Sequence, residues 1–243
     1  MEILKNIWEF ILTQTYPPDF LKVIIMFVFV FSIVWYSKFW KLTRNIITLI
    51  HEAGHAFVAL FTGRRIDAIR LRADTSGVME SSSSTGGTIF GYVAGIFVTF
   101  AGYISASILG ILGALMLNMG HPTLFLAIML LCLILVLLKT RNLYGLFIVF
   151  VMIVLTTLIL MFVPIFGQMI VVLFLTSLCL IGGMKPIIEL YKSRKINNDG
   201  TDDVSRLAQK TLIPGIIWIG IYLILSIGLA LFGLTLLFNI VIF

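Results

Sequence analysis

The sequence predicts an all-α polytopic membrane protein of about six to seven transmembrane helices, with a small β-hairpin after the second. Of its 243 residues, 60% are hydrophobic and 12% are charged. A water-soluble domain carries about 25% charged residues, so this chain lacks the polar surface that water requires. Apolar runs of bilayer length recur along it. The net charge of +6 lies in short basic clusters between these runs. Such clusters indicate membrane orientation and lipid-headgroup contact rather than nucleic-acid binding.

Seven apolar segments are the candidate membrane helices, with a count uncertain by one. They cover residues 20–37, 45–62, 88–117, 123–138, 143–163, 164–184 and 213–243. We expect one membrane-embedded domain over 1–243. Its parts are the first helices (20–62), a surface hairpin loop (63–87), a helical core (88–184), a cytoplasmic loop (185–212) and a C-terminal membrane segment (213–243).

Basic residues set the expected orientation. Lys139, Arg141 and the charged loop at 185–210 belong on the cytoplasmic side by the positive-inside rule. Segment 45–62 has basic residues on both sides, within 38–44 and 64–72. It therefore either spans against the rule or enters the bilayer only partly, and the sequence leaves both options open.

A hairpin is predicted where polarity alternates after this segment. Residues 66–72 alternate between apolar and polar, and the turn signal Asp74-Thr75-Ser76-Gly77 follows. At the membrane surface such a hairpin either binds an extended substrate by strand addition or simply connects two helices.

The sequence His51-Glu52-Ala53-Gly54-His55 carries the chemistry. Residues four apart share one face of a helix, so both imidazoles reach one zinc ion at about 2.0–2.1 Å. Glu52 is then placed as the general base on water activated by that zinc. Ionisable groups inside a membrane segment are costly and are usually functional. The alternative is that the two histidines only hydrogen-bond other helices. His121, before Pro122, is expected to be an ordinary turn residue.

The segment Leu-Ile-His-Glu-Ala-Gly-His-Ala at 49–56, with Ala-Leu-Phe-Thr-Gly-Arg-Arg at 59–65, resembles the site-2 protease family of membrane zinc metallopeptidases. It is most similar to the compact bacterial branch that has no PDZ domain. The resemblance continues through Ser-Gly-Val at 76–78, Gly-Tyr-Val-Ala-Gly at 91–95 and Arg-Asn-Leu-Tyr-Gly at 141–145. It covers most of the chain from Leu49 onwards.

The resemblance also implies a third zinc ligand, an aspartate from a distant helix. The Leu-Asp-Gly and Asn-Pro-Asp-Gly sequences that often carry it do not occur here. The matching element in the compact branch resembles Ser-Asp-Ala followed by Thr-x-x-Pro. In this sequence it aligns with Asp202-Asp203-Val204 and with Thr211 to Pro214. This implies Asp203 as the ligand, with Asp202 in reserve, and a fourth position open for water. Alternatively, Thr201 is an N-cap and both aspartates favour the positive end of a helix.

Two further segments have a structural and a functional interpretation. The glycine-rich stretch 86–113 allows close helix approach, either behind the zinc site or as simple packing. Arg141 and Asn142 donate hydrogen bonds, so Asn142 is a candidate substrate-binding residue. The pair is otherwise a positive-inside anchor followed by a turn residue.

We therefore expect a zinc-dependent intramembrane or membrane-surface endopeptidase, with Zn²⁺ on His51, His55 and Asp203 and with Glu52 as the base. Its partners are the lipid bilayer and a membrane-protein or peptide substrate, and its expected location is the bacterial plasma membrane. The oligomeric state stays open. The alternative is a non-catalytic zinc-binding adaptor or pseudoprotease. A transporter ranks last, because paired inverted repeats are missing from the sequence.

Overall fold

The computed structural model describes residues 15–82, 88–196 and 200–238. Parts of three predicted segments lie outside these ranges, namely 83–87 of the hairpin loop, 197–199 of the cytoplasmic loop and 239–243 of the last membrane segment. The described elements are α1 (Phe20–Trp35), α2 (Ser37–Phe61), β1 (Arg65–Leu71), β2 (Gly77–Ser82), α3 (Ile89–Asn118), α4 (Pro122–Lys139), α5 (Leu143–Phe162), α6 (Ile165–Gly182), α7 (Met184–Ile196), α8 (Asp203–Thr211) and α9 (Gly215–Leu237).

The described helices confirm the predicted polytopic all-α class. Five helical segments are long and apolar enough to cross a membrane, or six if α1 and α2 together form one span. The higher of these two counts equals the lower end of the predicted six to seven spans, for the following reason. The runs at 20–37 and 45–62 belong to two helices that meet at a bend of 101°. This bend is compatible with a broken span or a re-entrant segment. A re-entrant segment would correspond to partial entry of segment 45–62 into the bilayer, one of the two options that the charge pattern left open.

Helix α3 is central and packs against α2, α6 and α9. Small residues let α2 approach it closely. A Cβ built on Gly54 would collide with Ser105, and the Ser105 hydroxyl donates a hydrogen bond of 3.0 Å to the Ile50 carbonyl. The glycine-rich sequence thus brings the backbones of α2 and α3 together, which is how small residues act in membrane helix pairs.

The predicted β-hairpin is confirmed as an antiparallel pair of β1 and β2, with an irregularity between Ile66 and Ala68. Its turn follows from the sequence Asp-Thr-Ser-Gly. The Asp74 carboxylate accepts hydrogen bonds from the Ser76 backbone N–H (2.9 Å) and hydroxyl (2.6 Å). These bonds also lower the pKa of Asp74 below its usual value. An aspartate that bonds the backbone two residues on is a typical turn former.

The segment 185–212, predicted to be a cytoplasmic loop between membrane segments, contains the helices α7 and α8. Helix α7 continues α6 with a more polar sequence. Helix α8 begins where the Asp202 carboxylate accepts a hydrogen bond of 2.8 Å from the Ser205 backbone N–H. It docks by burying Val204 and Leu207 against residues of α3, α7 and α9. A low apolar content excluded a membrane span here, but it did not exclude short amphipathic helices.

Candidate metal centre

Helix α2 places two imidazoles on one face, as the spacing predicts. The Nε2 atoms of His51 and His55 lie 3.1 Å apart, and the rings meet edge to face. His55 is buried, whereas His51 is partly open to a cavity. The two nitrogens therefore converge on one point beside the helix.

Helix α8 brings a carboxylate to the same point. The Asp203 Oδ2 atom lies 3.0 Å from Nε2 of His51 and 3.1 Å from Nε2 of His55. Burial raises the pKa of Asp203, but its hydrogen bonds with the two histidines outweigh burial and hold the pKa below the usual range. Two ligand atoms of a tetrahedral zinc ion with bonds of about 2.0–2.1 Å are about 3.3 Å apart. The three atoms thus lie close to the spacing of one face of such a tetrahedron.

The orientation of His55 fits a metal ligand as well. Its Nδ1 atom lies 2.6 Å from the Val98 carbonyl oxygen of α3. A carbonyl only accepts, so Nδ1 carries a proton. The Nε2 atom then either donates a proton to Asp203, as in the hydrogen bond described above, or, in a neutral ring, directs its lone pair at the carboxylate. A lone pair that faces a carboxylate is repulsive unless a cation or a proton lies between them. Metal-bound histidines commonly donate their other N–H to a backbone carbonyl in this way.

Glu52 lies between this centre and the hairpin. Its side chain is buried, and it contacts the backbone of Met79 in β2. A Cβ built on Gly77 would lie 2.7 Å from the Glu52 Oε1 atom, so only glycine leaves the carboxylate room there. The predicted base therefore stands beside both the histidines and the inner side of β2.

The neighbouring Asp202 has a different place. Besides capping α8, its carboxylate accepts two hydrogen bonds from the Arg194 guanidinium, at 2.7 and 2.9 Å. The N-cap of α8 is thus Asp202 and not Thr201, the residue that the alternative interpretation named, while Asp203, the first residue of the helix, lies beside the histidines. Asp202 lines the same cavity but makes none of the described contacts with them.

Asn142 is not brought to the centre. Its side-chain amide donates a hydrogen bond of 2.6 Å to the Leu71 carbonyl and accepts one of 3.2 Å from the Leu71 N–H. The adjacent Arg141 N–H donates to the Ile69 carbonyl at 3.0 Å. These three bonds attach the outer edge of β1 to the connection between α4 and α5. Asn142 holds the hairpin in place, and its predicted contact with substrate stays a prediction.

A cavity of about 810 Å³ surrounds the three ligand atoms. Its walls include parts of α2, β2, α3 and α8, and Glu52 lies in it. The cavity is large enough for several residues of a peptide.

Three neighbours in α3 escaped the sequence analysis. A Cβ on Gly102 would collide with the rings of both histidines, so this glycine lets α3 lie directly against them. Tyr103 meets the His51 ring edge to face at 4.7 Å. The Val98 carbonyl is the partner of His55. The glycine-rich composition was the available signal, and it indicated close packing without indicating which glycine faces the imidazoles.

Together these features define a class of protein, a multi-pass membrane protein with a partly buried His-His-Asp cluster and an adjacent glutamate. A family model described as Peptidase M50B-like matches residues 24–233. The chain therefore belongs to this family, which is the site-2 protease family of membrane metallopeptidases, and the predicted resemblance is confirmed. No match was found among the curated proteins or the solved structures. Membership of the family implies substrates in or at the membrane.

Proposed function

We propose that the protein is a zinc-dependent endopeptidase that hydrolyses peptide bonds of membrane proteins, within or at the surface of the bacterial plasma membrane. The observation that carries the proposal is the convergence of His51, His55 and Asp203. Their three ligand atoms lie within 3.1 Å of one another, with Glu52 alongside. A site of two histidines and one carboxylate is typical of catalytic zinc, which keeps a fourth position open.

In this proposal His51, His55 and Asp203 hold the zinc ion. Bound zinc supplies a Lewis acid that polarises the scissile carbonyl and makes a water molecule acidic near neutral pH. Glu52 accepts the proton from the attacking water and later delivers it to the departing amine. The Val98 carbonyl keeps the His55 ring in the tautomer whose Nε2 is free to coordinate.

The hairpin provides a place for the substrate. The peptide bonds of a membrane helix are closed in internal hydrogen bonds, so the substrate must be locally extended before it is cleaved. The outer edge of β1 is covered by Thr140 and Arg141. Among the described residues, β2 pairs only with β1, and its inner part borders the cavity beside Glu52. An extended segment added to β2 would therefore pass the proposed base.

The test is the Glu52→Gln variant in reconstituted vesicles, with a panel of fluorescently tagged single-span membrane proteins as probes. Loss of the general base should lower the rate of cleavage by about 10²–10⁴-fold. Metal analysis should still find zinc, because the variant retains all three ligands.

The matched control is Glu189→Gln, whose carboxylate contacts Trp40 and Arg44 instead of the histidines. It should retain most of the cleavage rate. Full activity in Glu52→Gln would remove Glu52 from its role as the base. A wild-type protein that holds zinc but cleaves no member of the panel would favour the non-catalytic adaptor.

A further inference from the structure

Two cationic side chains share one end of the cavity, away from the histidines. Arg64 follows α2, and Lys210 lies near the end of α8. Both line the cavity. The position of a Cβ on Gly95 would be 3.1 Å from Lys210 Nζ and 3.8 Å from Arg64 Nη1. The two cations therefore face the same small area of α3.

The described partners of this pair are neutral. Lys210 Nζ donates to the Gly95 carbonyl at 3.1 Å and to the Thr99 hydroxyl at 3.3 Å. Arg64 Nε lies 3.3 Å from the Ser81 hydroxyl. Within the described ranges, neither cation forms an ion pair with a carboxylate.

The two acidic side chains of the hairpin that line the cavity are paired with other cations. Asp67 forms an ion pair with Arg65, and Glu80 forms one with Arg70. Burial lowers the pKa of Lys210, and the positive charges of Arg64 and Arg206 lower it further; the opposing effect of Asp203 is smaller, and in the proposed site that carboxylate binds the zinc ion. Positive charge at this end of the cavity is therefore poorly compensated by the protein itself.

We propose that Arg64 and Lys210 form an anion-binding subsite that takes an acidic side chain of the peptide substrate. The proposal rests on the proposed peptidase function and defines its substrate class. Two cations at the wall of a partly enclosed cavity favour a carboxylate, which accepts charge-assisted hydrogen bonds from both. The ligand would supply the negative charge that the protein does not place there.

The spacing of the subsite fits a residue near the cleaved bond. Gly95 precedes Gly102, which faces the imidazoles, by seven residues of α3, or about 10 Å at 1.5 Å per residue. On β2, Gly77 faces Glu52 and Ser81 contacts Arg64, a separation of four residues or about 13 Å. An extended substrate along β2 would thus place its acidic residue about three to four positions from the scissile bond.

A phospholipid headgroup has the same chemistry but fits this place less well. Arg64 and Lys210 point into the cavity, whereas the neighbouring Arg65 has an 85% exposed side chain. Outward-facing cations such as Arg65 are the ones suited to headgroup contact. Arg65 is also a matched control, because its loss changes the net charge equally.

Binding to the full-length Glu52→Gln protein in detergent micelles tests the proposal without turnover. The probes are fluorescent peptides with one apolar core, each carrying a single Glu or a single Gln at successive positions. At one position the Glu peptide should bind about tenfold more tightly than its Gln match, as charged hydrogen bonds allow. When Arg64→Gln or Lys210→Gln is combined with Glu52→Gln, the ratio of Glu-peptide to Gln-peptide affinity should fall close to one. The combination of Arg65→Gln with Glu52→Gln should preserve the ratio.

A charge reversal guards against simple misfolding. In Lys210→Glu, added to the same protein, a peptide with Lys at that position should bind better than its Glu match. Equal binding of Glu and Gln peptides at every position would overturn the proposal, and so would an equal loss of preference in Arg65→Gln. Binding of short-chain phosphatidylglycerol that depends on Arg64 and Lys210, without any Glu preference, would assign the pair to lipid instead. A wild-type protein that cleaves nothing would count against the peptidase alone, because these readouts measure binding.

Discussion

Helices α2 and α8 both contribute to the centre, but they are fixed in place by different means. In α2, His51, Glu52 and His55 lie within five consecutive residues, so the helix backbone alone sets their relation. Helix α8 contributes only Asp203, from a part of the chain about 150 residues further on. Its position depends on packing, through the buried Val204 and Leu207 and the cap at Asp202.

This difference teaches where the centre is robust and where it is sensitive. Two of the proposed ligands are preorganised by one helix, and the third reaches them only while a nine-residue helix stays docked. Metal binding that needs the docked form also stabilises it. We therefore expect bound zinc to hold α8 against α2. Substitutions that weaken the docking of α8 should lower the affinity for zinc.

The largest effect is expected when Asp203, the proposed ligand from α8, loses its charge while both histidines of α2 stay in place. Asp203→Asn should weaken zinc binding by more than the roughly 10–100-fold that is typical for the loss of an outer contact, because a ligand oxygen loses its charge. Its matched control is Asp202→Asn. Asparagine caps a helix about as well as aspartate, so α8 should form and zinc affinity should fall by less than about tenfold.

Competition with a calibrated zinc chelator measures both variants. Their order is the decisive result. If Asp202→Asn lost more zinc affinity than Asp203→Asn, the assignment of the third ligand would be wrong. Equal binding in both variants and the wild type would leave the ion on the histidines alone.

A second way tests the local half of the site through its neighbour. In Gly102→Ala the new methyl group meets both imidazoles, so the rings or α3 must shift. A displacement of about 1 Å at a reacting centre costs on the order of 100-fold in rate, and we expect a loss of cleavage of that size.

The matched control is Gly228→Ala in α9, where a methyl group meets open space. It should leave zinc affinity and cleavage unchanged. Retention of full activity in Gly102→Ala would mean that the described contact between α3 and the imidazoles is looser than we infer.

Features set by local periodicity were predictable from the sequence. The four-residue spacing of His51 and His55 places both rings on one helical face, and no tertiary information is needed. Alternating polarity and the Asp74–Gly77 turn likewise indicate the hairpin, because strand and turn signals act over a few residues. The membrane class follows from composition, and only the broken relation of α1 and α2 lowers the helix count.

Features that depend on docking were not predictable. Asp202 and Asp203 have the same side chain, and only the family resemblance, not the local pattern, implied Asp203 as the ligand. Their separate contacts arise because the first caps α8 and the second faces α2. The loop expected at 185–212 contains helices whose burial depends on partners in α3 and α9. The Asn142 side chain forms hydrogen bonds with the Leu71 backbone, a contact between residues far apart in the chain. The cavity, and with it the proximity of Arg64 and Lys210, forms only when α2, α3, α8 and the hairpin pack together.

The smallest expected effect is that of Arg194, which acts on Asp203 only indirectly, through the first turn of α8. Its Nη1 atom donates to both Asp202 oxygens and lies 2.9 Å from the Ser205 hydroxyl, so it ties the end of α7 to the first turn of α8. In Arg194→Gln the cap can still form, but α8 loses this tether. We expect zinc affinity to fall by about tenfold, the lower end for an outer contact, while zinc at saturating concentration restores cleavage. Lys192→Gln, on an exposed part of the same helix, should change neither quantity. A loss of activity in Arg194→Gln that excess zinc does not restore would show that the tether shapes the cavity itself and does more than position Asp203.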